Sequence, residues 1–164
     1  MEEKITYKSI GIIQTSFKKS EGMPIQSKFT DEKGKAIIPI DYLEALEGLE
    51  EFSHIILLYH FHKAKDAKLL VKPFLSTKEI GLFAIRAPNR PNPIGISIVR
   101  LLEIDIKEDT IELVFSGADM LDQTPLLDIK PYNTDFDSYP EAKNGWYEKR
   151  EIDKTVADNR FSKQ

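Results

Sequence analysis

The sequence predicts a mainly β protein: a single antiparallel β-barrel-like domain with short helices and an irregular C-terminal arm. Its strand-like segments are short, rich in Ile, Leu, Val and Phe, and follow one another through Gly, Pro or charged turns with no helical period between them. Such strands pair antiparallel and close on themselves, whereas a doubly wound fold needs intervening helices. A chain of 164 residues suits one hydrophobic core. From Asn133 onward the alternation and the aliphatic density fade, which divides the chain into a barrel domain at 4–132 and an arm at 133–164, packed on the barrel or on a dimer partner.

Each element has its own signal. YKSIGIIQT (7–15) reads as a first strand that runs into a polar loop holding Gly22 and Pro24. In DYLEALEGLEEF (41–52) apolar residues fall at 42, 43, 46 and 49, and Asp41 and Glu44 have capping-box spacing. A short helix is therefore expected to start at Asp41 and to end or loosen at Gly48. In SHIILLYHF (53–61) and the residue beyond it, period two sets His54, Ile56, Leu58, His60 and His62 against Ile55, Leu57, Tyr59 and Phe61. Apolar residues on both faces indicate a central strand. KLLVKPFL (68–75), IGLFAIR (80–86), IGISIVRLLEI (94–104) and DTIELVFSG (109–117) supply four more extended segments, with KED (107–109) as the hairpin loop between the last two. Tyr139, Trp146 and Tyr147 are expected to pin the arm.

Composition narrows the function classes. With 41% hydrophobic and 30% charged residues the chain matches an ordinary folded domain. Its longest apolar run is the five residues 55–59, too short to span a bilayer. The opening MEEKITYK has no apolar signal core, and there is no cysteine for disulfides, thiolate metal sites or thiol nucleophiles, so a cytoplasmic location is expected. Net charge is −4, but residues 60–100 carry eight Lys or Arg against Asp66 and Glu79, a local +6 that leaves −10 on the remainder. That stretch is either a solvated face or a surface for phosphate. The glycine-rich dinucleotide, P-loop, nucleophile-elbow and zinc-helix motifs are absent.

Three clusters carry possible chemistry. In RAPNRPNPIG (86–95) Pro88, Pro91 and Pro93 fix φ and hold Ala87, Arg90 and Asn92 out of the α region. The resulting loop keeps its shape before any ligand arrives, either as a rigid connector or as a pocket wall. In SGADMLDQTPLLDIKPY (116–132) Asp119, Asp122 and Asp128 fall beside glycine and prolines. These carboxylates suit ribose hydroxyls or an ammonium group better than a divalent metal, whose other oxygen ligands are missing. His60 and His62 share a strand face without a third ligand nearby, so they read as rim or core histidines and no metal is expected.

Taken in order, IGIIQTSF, PIQ, EEFSHIILLYHFHK, GLFAIRAPNRPNPIGISIVRLLEI and DMLDQTPLLDIKPY resemble the TsaA-like (TrmO) family over residues 10–132, and KNGWY (143–147) resembles its short archaeal-type members. The resemblance implies an S-adenosylmethionine-dependent methyltransferase on an unusual β-barrel, a homodimer that methylates N6 of threonylcarbamoyladenosine at position 37 of tRNA. Carried over residue by residue, its cofactor positions are Pro24, Ile25, Gln26, His62, Lys63, Arg86, Ile96, Asp119, Met120, Leu121 and Asp122. Asp128, Lys130 and Tyr132 of DIKPY are candidates to handle the proton of the acceptor nitrogen. Lys65, Lys68, Lys72 and Arg90 of the basic stretch are candidates for RNA. Gln123 departs from the family, which usually has glycine there. Two rival readings stand beside this one: a cofactor-binding regulatory module, and a methyltransferase for another RNA base or a small molecule.

Overall fold

Alternation along the strand β3 (His54–His60) decides what is inside: Ile55, Leu57 and Tyr59 are buried, while His54 is exposed and Ile56, Leu58 and His60 are half-exposed. The computed structural model describes residues 3–159. In it β3 pairs on one side with β6 (Ile94–Ile106) and on the other with β8 (Thr124–Pro131). With β1 (Gly11–Gln14), β2 (Lys33–Pro39) and β7 (Thr110–Ser116) they close an antiparallel barrel in the order β1-β2-β7-β6-β3-β8. The expected fold class is the observed one. Inside lie Ile13, Ala36, Ile38, Val99, Ile111, Leu113, Phe115 and Leu126, contributed by alternate positions of five strands around β3.

Between β3 and β6 the chain leaves the barrel and makes the short ribbon β4 (Leu70–Val71) with β5 (Ile80–Gly81). Both of its parent segments are shorter strands than expected. Pro73 stops the first, and Leu82–Ala84 of the second is a 3₁₀ turn whose backbone carbonyls are claimed by Arg90: Nη1 donates to Leu82 O at 3.2 Å and Ile85 O at 2.9 Å. The proline loop therefore follows a 3₁₀ turn, not a strand. Val71, Leu82, Ile85 and Ala87 form a second small core against which Ile80 and Trp146 pack.

The helix expected from Asp41 is a 3₁₀ segment, Ile40–Leu46, with no side-chain cap. It is only seven residues long, and Gly48 breaks it at φ +83°, so an α-helical nucleus has no room to propagate. Two barrel strands lay hidden in the sequence. In β2 the residues Gly34 and Ala36 alternate with lysines and look like a loop, and in β8 the prolines at 125 and 131 suggest a turn.

Beyond β8 come a single helical turn, α1 (Thr134–Asp137), and a 3₁₀ turn at Gly145–Lys149. The arm folds back on the start of the chain: Ile25 N donates to Thr155 O, Gly22 N to Ala157 O and Ala157 N to Met23 O, around a bridge between Pro24 and Val156. Trp146 and Tyr147 are half-buried, but Tyr139 is 68% exposed and pins nothing. Residues 160–164 of the expected arm lie outside the described residues.

Candidate functional site

The PNPIG sequence requires its glycine at Gly95, where an added Cβ would lie 2.2 Å from Tyr59 Cε2. With Gly95 in place the Tyr59 ring lies across β6 and its hydroxyl reaches Ser97 Oγ at 3.0 Å. Ser97 in turn donates to Asp119 Oδ1 at 2.6 Å. Burial, the largest influence, pushes the Asp119 carboxyl up to about 6, against the opposing pull of Ser97, the Ser27 backbone and Arg86. Burial also drives the Tyr59 phenol above its ordinary range. Asp119 is thus a carboxyl raised by burial yet ionised at neutral pH, a perturbation that marks it as a candidate for function.

Arg86 joins this network to a cavity. Its Nη1 donates to Gln26 Oε1 at 3.3 Å, and it bears electrostatically on Asp119, Tyr59 and Tyr147. The cavity is about 460 Å³ and is walled by Ile25, Gln26 and Phe29, by Ile85 to Pro88, and by the arm through Asn144, Trp146, Tyr147, Glu148 and Arg150. Proline removes backbone donors from the loop, so its acceptors are met from outside. Phe61 N donates to Pro93 O at 2.8 Å, and the buried Asn89 side chain accepts from Lys65 N at 3.0 Å. The loop is a preformed cavity wall.

The 119–124 turn is anchored from β1. Asp122 accepts from Thr15 N at 3.1 Å and pairs with Lys18, which holds its carboxyl below the ordinary range. Thr15 Oγ1 donates to Met120 O, and Thr124 Oγ1 donates to Leu121 O at 2.6 Å and lies 3.4 Å from His62 Nδ1. Partial burial depresses the His62 pKa, with Lys63 second. Gln123 carries this turn at φ +61°, the left-handed conformation that glycine takes without strain.

The structure thus gathers Ile25, Gln26 and Arg86 on one cavity wall, with Asp119 within electrostatic reach of Arg86 and Pro24 buried next to Ile25. Met120, Leu121 and Asp122 form the turn that follows Asp119, and His62 lies against it through Thr124, with the exposed Lys63 following His62. Ile96 stands apart on the outer barrel face, 45% exposed, in a row with Leu58 and Asp128. Asp128 and Lys130 pair with each other at 2.7 Å, and Tyr132 meets His54 edge-on at the opposite end of β3 from His62. Arg90, expected to meet RNA, is engaged by the Leu82 and Ile85 carbonyls and lies over the Phe83 ring at 5.7 Å. Sequence reasoning missed Ser97 and Tyr59, although the glycine between prolines and strand was a signal of a ring packed above it. Among the described residues no three His, Asp or Glu gather as a metal-ligand set.

Comparison with known proteins matches residues 12–138 to the tRNA-methyltransferase O N-terminal domain. The chain belongs to the tRNA-methyltransferase O family. Among relatives, a protein of Pyrococcus abyssi described as a probable S-adenosyl-L-methionine-binding protein is 48% identical over 160 residues, covering 96% of this chain and 85% of that one. The Escherichia coli tRNA (adenine(37)-N6)-methyltransferase is 34% identical over 143 residues, covering 83% of this chain but 61% of the enzyme. A crystal structure of TrmO superposes with a TM-score of 0.72 at 38% identity, covering 88% of this chain and 63% of that one. The tRNA-methyltransferase O barrel and the barrel described above are therefore one fold, and the candidate site lies within the family domain except for the arm.

Proposed function

We propose that the chain is an S-adenosylmethionine-dependent methyltransferase that modifies N6 of threonylcarbamoyladenosine at tRNA position 37. The observation that carries this reading is the meeting of three positions the family resemblance assigns to cofactor: Gln26 and Arg86 bond to each other on the cavity wall, and Arg86 bears electrostatically on Asp119. The donor set fits the cofactor: Arg86 offers a guanidinium fork for a carboxylate, and Asp119 offers an acceptor for an ammonium or ribose hydroxyl. Ile25 adds an apolar flank. Bound S-adenosylmethionine supplies the methyl group from its sulfonium centre.

The protein's own task is then positional, because in-line approach accounts for most of the acceleration available to such a transfer. Arg86 and Asp119 hold opposite charges near each other, and the proline loop keeps the wall rigid. The acceptor nitrogen, which bears a carbonyl, has a proton to lose. Asp128, Lys130 and Tyr132 are proposed as the residues that handle it, Asp128 and Lys130 being paired at 2.7 Å. Lys65, Lys68 and Lys72, exposed on the basic stretch, are proposed to meet tRNA phosphates.

The reading includes a homodimer. Ile94, Ile96 and Ile98 are 42%, 45% and 40% exposed and line up with Ile56 and Leu58 across β3, an apolar strip suited to a second copy. Among the described residues no helix is long and apolar enough to cross a membrane; a cytoplasmic location accords with a tRNA substrate. Calorimetric titration with S-adenosylmethionine tests the cofactor assignment, and affinity retained after chelation is the expected result. A second reading, a binding module without catalysis, draws on the binding-only description of the Pyrococcus abyssi relative.

A further inference from the structure

We propose that Tyr147, backed by Trp146, is the platform on which the acceptor purine stacks, so that the C-terminal arm selects the substrate. This rests on the methyltransferase reading above. The two rings stack with centroids 4.0 Å apart and planes at 22°, and both line the cavity. Trp146 is fixed twice: its Nε1 donates to Ala84 O at 2.8 Å, and it packs against the small core of Val71, Leu82, Ile85 and Ala87. Tyr147 is thereby a half-buried ring on a rigid backing, beside the Arg86 guanidinium. Such a ring suits a base from an RNA loop, whose flat face stacks on it next to the cofactor held by Arg86.

One observation favours the acceptor over the cofactor's own adenine. Every cofactor position carried over from the family falls between Pro24 and Asp122, inside the domain matched at 12–138, whereas the aromatic wall lies beyond it. A wall outside the matched domain is placed to serve the acceptor and not the shared cofactor site.

Trp146 is the only tryptophan in the chain, so its emission reports on the wall directly. The test titrates the intact protein, saturated with S-adenosylhomocysteine, with an anticodon stem-loop RNA carrying threonylcarbamoyladenosine at position 37. Saturable change in Trp146 emission is expected, with affinity for the RNA falling roughly 10-fold or more in Tyr147→Ala and staying within threefold in Tyr147→Phe. Cofactor affinity should remain within twofold in both variants. Emission that responds to S-adenosylhomocysteine alone, or cofactor affinity that falls with Tyr147→Ala while RNA affinity holds, overturns the proposal by giving the wall to the cofactor. No emission change with either ligand overturns it as well. If Tyr147→Ala loosens the arm, seen as a lower melting temperature, the Phe variant and the wild-type emission still decide. Failure of the methyltransferase reading is seen separately, as absent cofactor binding by calorimetry.

Discussion

Ser97 Oγ donates to Asp119 Oδ1 at 2.6 Å, tying a carboxyl that is raised to about 6 to the inner face of the barrel. Because the folded protein holds this proton more tightly than the unfolded chain, stability falls as pH rises between the ordinary value of 3.8 and about 6. At neutral pH the ionised carboxylate costs the ligand-free fold at most about 3 kcal/mol. Asp119→Asn should therefore raise the melting temperature at pH 7.5, with the gain shrinking toward pH 4. The same change should weaken S-adenosylmethionine, whose binding to the wild type should decline as pH drops through 6. A variant that melts lower at pH 7.5 would contradict the burial argument.

Arg86→Ala should weaken S-adenosylmethionine by roughly 1.5 to 3 kcal/mol, the range for a charge-assisted pair to a carboxylate. Calorimetry measures it. Unchanged affinity would take Arg86 out of the cofactor site and leave it as a partner of Gln26.

Gln123→Gly should stabilise the protein by about 0.5–1 kcal/mol in urea unfolding, because glycine meets φ +61° without the Cβ clash. The greater freedom of glycine in the unfolded chain offsets part of the gain. A loss of stability would mean that the Gln123 side chain contributes more than its backbone strain costs.

Ile96→Lys on the outer strip should shift the protein toward monomer in sedimentation at micromolar concentration, while leaving the melting of the monomer nearly unchanged. A wild type that is already monomeric would contradict the dimer.

Neutralising Lys65, Lys68 and Lys72 together should lower tRNA affinity and reduce its salt slope by up to about 0.9 for each phosphate that the variant no longer neutralises. The triple Lys8, Lys19 and Lys33 is the control for net charge; Lys18 is unsuitable, since it pairs with Asp122. Equal losses of affinity in both triples would show that the clustering has no local meaning.

The barrel was legible where burial imposes period two, as in β3 and β6, and where a turn is short, as at KED. It was illegible where pairing partners decide the structure. GLFAI has the composition of a strand, yet Arg90 captures the Leu82 and Ile85 carbonyls and the segment turns. KGKAIIP looks like a loop, yet β1 and β7 flank it and make it a strand. Arg86 and Asp119 stood out in the sequence by type and surroundings, and Gln26 only through the family resemblance; the fold brings Gln26 and Arg86 onto one cavity wall. Ser97 looks like an ordinary strand residue, and only the barrel turns it toward Asp119. The length of β3 between His54 at its start and His62 just beyond its end, which separates Tyr132 from the 119–124 turn, is likewise a property of the folded chain.

The central claim is tested most directly by incubating the protein with methyl-labelled S-adenosylmethionine and tRNA bearing, or lacking, the threonylcarbamoyl group at adenosine 37, then locating the label by nucleoside analysis. The account predicts label on N6 of the modified adenosine and none on the unmodified tRNA, with label absent in Arg86→Ala at cofactor concentrations that just saturate the wild type. Cofactor binding without label in either tRNA, or label on a different base, would contradict it.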